Sequence, residues 1–456
     1  METTEFSIES AMELLEQKKY AVLRTMLSDV PAADIAEMYE EIPQNQFAIL
    51  FRMLPKELAA DVFVELDPDF QQILIAAFTD KELREVLTEL YMDDTVDLIE
   101  EMPANVVKRI LANSSAENRK TVNELLKYPE DSAGSIMTTE FVRLKENMTV
   151  QEAFQLIRKV AIDKETIYTC YVTDVRSHLI GLVTVKYLLL SPYEALIKDI
   201  MQDNVISVQT LCDKEEVAAT ISKYDVLALP VVDEENRLVG IVTVDDAIDV
   251  IQDETEEDFA KMNAMAPVET PYLRASVWAL WRSRILWLLL LMVSATFTGM
   301  IISSFEDALK VQVVLTAFIP MLMDTGGNSG SQASVTVIRA ISLGEVEFND
   351  IFRVIWKEVR VAFLCGMSLA VVTFGKIFLV DKLIMQKPIT VPIALVVCLT
   401  LCITVLCAKL LGCTLPMIAA KLNFDPAVMA SPFITTIVDA VSLLVYFAFA
   451  SALLKL

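Results

Sequence analysis

Between Ile285 and Leu454 the chain carries five long apolar runs: Ile285–Ile302, Val311–Ile341, Val361–Val380, Val391–Ala419 and Ala427–Leu454. Each comes up to or exceeds the roughly 20 residues a helix needs to cross a bilayer. Hydrocarbon cannot hydrogen-bond a backbone, so these runs predict a bundle of membrane-spanning helices. The second run departs from that pattern. Asp324-Thr-Gly-Gly-Asn-Ser-Gly-Ser-Gln-Ala-Ser334 brings a carboxylate, two amides, four hydroxyls and three glycines into it. Gly326, Gly327 and Gly330 alone describe a face for close helix approach. Asp324, Asn328 and Gln332 add groups that lipid cannot satisfy, which predicts a solvated path inside the bundle.

Charge separates this half from the rest. The formal net charge is −25, yet residues 271–456 hold 14 Lys/Arg against 10 Asp/Glu, a net of +4, so the first 270 carry −29. An acidic soluble half therefore precedes the membrane half. Its start, Met-Glu-Thr-Thr-Glu-Phe, lacks a basic-then-apolar leader, so this half is expected in the cytosol. Seven cysteines form no CxxC pair, and His178 is the single histidine. Zinc or copper chemistry is poorly supported, whereas hard cations held by oxygen remain open.

Residues 1–128 read as an all-α domain. Glycine is absent before Gly134, and Pro43, Pro55 and Pro68 punctuate short helices at intervals of 12 and 13 residues, which predicts a superhelical stack. Asp93 and Asp97 are four apart, so on a helix their carboxylates share a face and repel unless a cation joins them.

From Tyr128 onward, β-branched runs alternate with helical ones, and the pattern repeats. Ile136-Met-Thr-Thr recurs as Ile200-Met-Gln-Asp, and Gly181-Leu-Val-Thr-Val as Gly240-Ile-Val-Thr-Val, with an insertion in the first copy around Ile162–Thr166. The duplicated β-α-β unit resembles a tandem pair of CBS domains, 129–195 and 196–250. The resemblance implies a regulatory, usually dimeric module. Thr243-Val-Asp-Asp246 is similar to the Thr/Ser-x-x-Asp with which many such pairs hold a ribose, so Thr243 and Asp246 are candidates for ATP or another adenine nucleotide. The first copy has Thr184-Val-Lys-Tyr187 and lacks the acid.

Residues 245–258 hold eight acids and no base. A solvated acidic helix would look the same, but this run leads directly from the repeat to the membrane. A connecting helix within 251–275, running through Met265 with Pro267 and Pro271 after it, would pass charge neutralisation to the bundle. Arg339, Arg353, Lys357 and Arg360 concentrate between runs two and three, while Glu306 and Asp307 face only Lys310 between runs one and two. The positive-inside rule then puts the N-terminus in the cytosol and, after five spans, the C-terminus outside the inner membrane. Residues 344–360 read as an amphipathic helix along the cytosolic surface.

Asp439 lies in the fifth run. A carboxylate there costs about 2.5 kcal/mol or more unless hydrated or paired. A structural pair with Lys376 is one reading. The other is an ion ligand, with Thr435, Thr436 and Ser442 completing a hydrophilic stripe on one helix face. Asp425 would add a negative point at the mouth of such a path. Magnesium suits the second reading, because it takes one or two carboxylates and keeps several waters. Manganese and cobalt fit similarly.

The whole order, with Pro320, Gly326-Gly-Asn-Ser-Gly-Ser-Gln332, Asp425-Pro and Asp439, resembles the MgtE family of magnesium channels. The resemblance implies a multidomain chain: a superhelical all-α N-domain, an α/β CBS pair, a plug helix and a membrane domain (276–456) of five helices. It implies a homodimer with its pore on the dimer axis, Asp439 at the central ion site, and closure by intracellular magnesium. Asn328, Gly327 and Thr435 fall beside that site. The positions resembling the family's regulatory ligands are Asp213, Glu215, Asp225, Asp246, Asp249, Glu254, Glu257 and Asp258, with Asp93 and Asp97 in the N-domain. Three other readings compete: an anion carrier, which Asp324 and Asp439 oppose; a nucleotide sensor on a membrane anchor; and an enzyme, for which no nucleophile–base pair or phosphate loop is present.

Overall fold

The computed structural model describes residues 7–454 except 269, 271 and 430, with the backbone alone for 163, 429 and 431. The acidic opening hexapeptide and Pro271 lie outside the described residues. The chain forms two compact bodies that divide between Ile251 and Gln252.

Among the described residues, the first body opens with ten α-helices. They are α1 (Ile8–Glu16), α2 (Tyr20–Leu27), α3 (Ala32–Glu41), α4 (Phe47–Phe51) and α5 (Lys56–Val64), then α6 (Pro68–Ala77), α7 (Asp80–Glu89), α8 (Met92–Glu101), α9 (Ala104–Asn113) and α10 (Ala116–Leu125). Pro31, Pro55 and Pro103 stand directly before α3, α5 and α9, and Pro68 opens α6. A fixed φ and a missing N–H are harmless in a first turn, so proline starts each helix as it ends the last. Helix α3 packs on α5, α5 on α7 and α7 on α9, which makes the superhelical stack.

The repeat follows as two three-stranded sheets. In the first, β1 (Phe141–Lys145) pairs in parallel with β2 (Thr166–Thr173), which pairs antiparallel with β3 (Leu179–Thr184). In the second, β4 (Val208–Gln209), β5 (Ala228–Val232) and β6 (Leu238–Thr243) do the same. Helices α11 (Val150–Val160), α12 (Val185–Leu190), α13 (Ile197–Ile200) and α14 (Lys214–Tyr224) fill out the pair. The copies exchange their entry segments. Thr138 bridges to Ile241 on β6, and Gln202 bridges to Leu182 on β3. Met137 lies over Gly240 and Met201 over Gly181, so close that a Cβ on either glycine would strike the thioether. The repeated Ile-Met and Gly-x-Val-Thr motifs are thus two halves of one reciprocal contact. A single apolar core joins the helical stack to the second copy, from Tyr39 and Phe63 through Val217 and Ile221 to Val250.

Helix α15 (Val244–Met262) crosses from the first body into the second. It starts inside the second repeat and stops three residues short of the expected Met265. The second body holds α16 (Val277–Ser304), α17 (Glu306–Val311), α18 (Ile319–Ser342), α19 (Ile351–Lys376), α20 (Val391–Lys421) and α21 (Ser431–Leu454). Among the described residues, four helical stretches are long and apolar enough to cross a membrane: Val277–Ser304, Phe348–Ile384, Val391–Lys421 and Pro432–Leu454. Helix α18 matches them in length and differs by its polar stretch.

Two expectations are corrected here. The second span does not begin at Val311, because a 3-10 turn over Val313–Phe318 precedes α18 and Pro320 sits in the helix's first turn. Residues 344–360 are not a separate surface helix. From Ile351 they are the first turns of α19, which runs on into a π-helical stretch, Ile377–Ile384. Helix α20 lies at the centre, in contact with α18, α19 and α21, while α16 packs on α21 and leaves Leu286, Leu290 and Phe297 exposed.

Candidate functional site: an open polar face and a crowd of carboxylates

Helix α18 carries two faces. Gly326, Gly327, Ser329, Gly330, Ala333 and Ser334 are buried. A Cβ on Gly326 would meet Thr404, Ser442 and Val438; one on Gly327 would meet Thr435; one on Gly330 would meet Ile434 and the Ala408 carbonyl. These glycines let α18 reach α20 and α21 at backbone distance. Asp324, Asn328, Gln332 and Thr336 follow at four-residue intervals on the exposed face. The Asn328 side-chain amide donates to Asp324 Oδ1 at 3.1 Å. The small-residue packing face therefore lies on one side of the helix, and the polar groups expected to line a path lie on the other.

Asp439 on α21 is half-buried and lies within electrostatic reach of Asp324. Its expected partner is otherwise engaged: Lys376 binds Asp381 at 2.9 Å, and Lys387 approaches the same carboxylate at 3.2 Å. A second membrane base, Lys409, was missed by the sequence reading; it lies 3.7 Å from Glu358 across α19 and α20. Among the described residues no base pairs with Asp324 or Asp439. The expected stripe around Asp439 divides. Thr435 faces Gly327, Thr436 lies 3.5 Å from Ser294 on α16, and Ser442 is fully buried with its hydroxyl on the Val438 carbonyl. The Gly327 carbonyl accepts the Ser331 hydroxyl at 3.0 Å.

Near the start of α21, Asp425 accepts the Ala427 N–H at 2.7 Å and meets Lys261 at 2.7 Å. Lys261 also holds Glu257, one turn earlier on α15, at 2.7 Å. Asp258 lies 3.5 Å from the Ser342 hydroxyl. Burial, then the charge of Asp425, pushes the Asp258 carboxyl up. Glu254 stands one turn before this group on the same helix.

In the first body, Asp93, Asp94 and Asp97 of α8 gather with Asp246 at the start of α15 and with Glu165 just before β2. Burial pushes Asp94 and Asp246 up to about 6, Asp97 to about 7 and Glu165 to about 8. Asp93 rises well above the ordinary carboxylate range, also by burial first. Mutual repulsion adds to each: Asp246 acts on all three α8 aspartates, and Asp94 and Asp246 act on Glu165. Glu165 was not singled out in the sequence. Its Oε2 is buried without a hydrogen-bond partner among the described residues. The signal was the insertion itself, which carries this acid.

The remaining candidates sit elsewhere. Asp213 caps the start of α14 and accepts the Glu215 N–H at 2.8 Å, while Asp225 closes the other end with φ +50°. Twelve residues of helical rise put them about 18 Å apart, so they cannot share one ion. Asp249 lies one turn after Asp246 and adds to its charge environment. Asp246 accepts the Thr243 hydroxyl at 2.5 Å and its N–H at 3.3 Å, so the ribose-type motif is closed on itself as a helix cap. Among the described residues no three His, Cys, Asp or Glu side chains converge tightly enough to enclose a metal. The donor set is nonetheless all oxygen, and crowding of anions is what a dication relieves.

Three family models match. They are described as a divalent cation transporter over residues 319–449, an MgtE intracellular N domain over 30–131, and CBS domains over 133–192 and 197–253. A magnesium transporter of Thermus thermophilus is 35% identical over 450 residues, covering 98% of both chains. One of Bacillus subtilis is 35% identical, covering 96% of this chain and 95% of its own. A crystal structure of the cytosolic domain of the Mg2+ channel MgtE in complex with ATP is 36% identical, with a TM-score of 0.51, covering 54% of this chain and 100% of that one. The chain belongs to the MgtE family of divalent cation transporters, as a multipass membrane protein with a helical N domain and a CBS pair.

Proposed function

We propose that the protein conducts magnesium across the inner membrane through a path lined by α18 and α21, and that cytosolic magnesium closes it. The observation that carries this reading is the pairing pattern. Glu358 and Asp381 have lysines, whereas Asp324 and Asp439 lie within electrostatic reach of each other without a base among the described residues. Two unneutralised carboxylates beside an exposed amide row suit a hydrated dication, whose waters bond to Asn328, Gln332 and nearby hydroxyls. The polar face is exposed on one protomer, so a homodimer that turns two such faces toward its axis would enclose the path. Thr435 and Gly327 then support its wall by packing, and Asp425 marks its cytosolic mouth.

Closure follows from the acids. Asp93, Asp97, Asp246 and Glu165 repel one another, and magnesium would draw α8 toward the head of α15. A ligand moves such an equilibrium only by binding the closed state more tightly, so several weak sites act together. Asp213, Glu215, Asp225, Asp249, Glu254, Glu257 and Asp258 supply further charge to that response. The relative crystallised with ATP supports an adenine nucleotide at Thr243 and Asp246, which would have to release the cap between them. The N-terminus is cytosolic and the C-terminus lies outside.

Magnesium uptake into proteoliposomes, driven by its gradient alone, tests the reading. Wild-type uptake should fall when magnesium bathes the cytosolic face, and Asp439→Ala should abolish it. Uptake indifferent to that substitution returns Asp439 to a structural role. Equal uptake of manganese or cobalt would make the path a general dication channel.

A further inference from the structure

The last turns of the apolar stretch Phe348–Ile384, with the loop after them, set three lysines around one carboxylate. Lys376 and Lys387 take that carboxylate from two sides, and the Asp381 side chain is only 4% exposed, which leaves no room for a third cation. Lys382 points outward instead, over the Phe378 ring at 5.3 Å, and has no ion pair among the described residues. We propose that Lys382 and the apolar groove beside it hold one anionic phospholipid, with the headgroup phosphate on the ammonium and an acyl chain along the groove.

Three observations carry it. The groove has a volume of about 610 Å³ and is lined by Phe374, Gly375, Phe378, Leu379, Lys382 and Leu383. Phe374, Phe378 and Lys382 recur at four-residue intervals, as do Gly375, Leu379 and Leu383, so two adjacent rows run along the helix. A Cβ on Gly375 would meet nothing within 4 Å, so the second row has an open notch wide enough for a hydrocarbon chain to pass. The charge fits as well. Residues 376–387 carry three lysines against Asp381 alone, a net of +2, and the lining itself offers no carboxylate.

Depth selects the ligand. Lys382 lies two residues before the apolar stretch ends, where a long basic side chain reaches the level of lipid phosphates while its stem stays in hydrocarbon. A soluble anion would gain the charge but leave the apolar rows bare. A second copy of the chain suits the place less well, because a two-fold contact brings the same patch to itself and so sets these lysines against their counterparts. An anionic lipid satisfies both parts at once: its phosphate meets the unpaired ammonium, and its chain covers Phe374, Leu379 and Leu383, which are 39%, 62% and 71% exposed.

The test uses the full-length protein in detergent, with retention of dioleoyl phosphatidylglycerol and dioleoyl phosphatidylcholine read by native mass spectrometry. The two lipids share their chains and differ in net charge. Wild type should hold one phosphatidylglycerol per protomer about fivefold more tightly than phosphatidylcholine, the factor one lysine near a lipid headgroup supplies. Lys382→Gln should lose that preference and Lys382→Arg should keep it. Gly375→Leu fills open space, so it should keep the gel-filtration peak of wild type and weaken retention of both lipids. Equal retention of the two lipids by wild type, or a preference that survives Lys382→Gln, overturns the proposal. So does displacement of the lipid by excess inorganic phosphate, which would make this an anion site without a chain. Oxidation of Leu379→Cys to a disulfide-linked dimer that wild type does not form would place a second copy over the groove, and would overturn it too.

Discussion

On the membrane helices Glu358 lies against Lys409 and Asp381 sits between Lys376 and Lys387, whereas Asp93, Asp94, Asp97, Asp246 and Glu165 of the first body crowd together with no ion-paired base among the described residues. Both regions bury carboxylates, and taking a charge out of water is costly in each. They solve the cost differently. The membrane body neutralises its structural acids with lysines from neighbouring segments, which fixes them. The soluble body leaves the charge unresolved, so its packing depends on whatever cation or proton the surroundings provide. Asp324 and Asp439 behave like the soluble group although they sit on membrane helices, and that exception marks them.

The largest expected effect separates the two faces of α18. Gly412→Leu would drive a side chain into the Gly330 carbonyl and Ala333, and overpacking of a backbone contact costs about 3 kcal/mol or more. The variant should lose its single peak on gel filtration in detergent. Asn328→Ala, on the exposed face, should keep that peak and reduce uptake; loss of the peak there would make the polar row structural.

Acidity should act next. The folded soluble body binds protons that its unfolded chain, with carboxylates near the usual 4, does not. The contribution of these groups to stability is therefore fully present below about 4 and is lost as pH rises through the folded values of about 6 to 8. Melting of a fragment of residues 1–262 should move upward by several degrees from pH 8 to pH 5.5. Asp97→Asn should raise the pH 8 value and flatten the slope. An unchanged slope would mean the acids are not coupled.

Magnesium should imitate the proton in a smaller, saturable way. At pH 8 it should raise the melting temperature of the same fragment, and Glu165→Gln should diminish the rise. The smallest effect belongs to an exposed pair. Lys310 meets Glu306 and Asp307 at 3.0 and 3.4 Å with its side chain 64% exposed. Lys310→Ala should change stability by less than about 0.5 kcal/mol, whereas Lys376→Ala, which strips one partner from nearly buried Asp381, should cost more.

Much of this was legible in order of residues. Apolar length announced the membrane helices, proline spacing the helical stack, and the repeated Ile-Met and Gly motifs the CBS pair. Asp439 stood out because an acid amid apolar residues needs a reason. Other features depend on contacts between distant segments. Nothing local to Ser442 says that it turns inward to Gly326 rather than toward Asp439, since one helical turn separates the two directions. Nothing local to Glu165 says that α8 passes beside it. Lys376 reads as a partner for Asp439 because Asp381 is five residues on, a spacing that an α-helix does not bring onto one face; the π-helical stretch Ile377–Ile384 does, and the pair closes at 2.9 Å.

The bare backbone contacts of α20 limit how the bundle can change shape. Gly412 meets the Gly330 carbonyl of α18, and Gly366 of α19 meets the Cα of Cys402. Elsewhere a layer of side chains between helices can switch rotamers and so absorb a small slide. Here no such layer exists, and α18, α19 and α20 are keyed together at those points like interlocked gear teeth. Any widening must therefore come from hinging of that block as a unit, or from α16 moving against it.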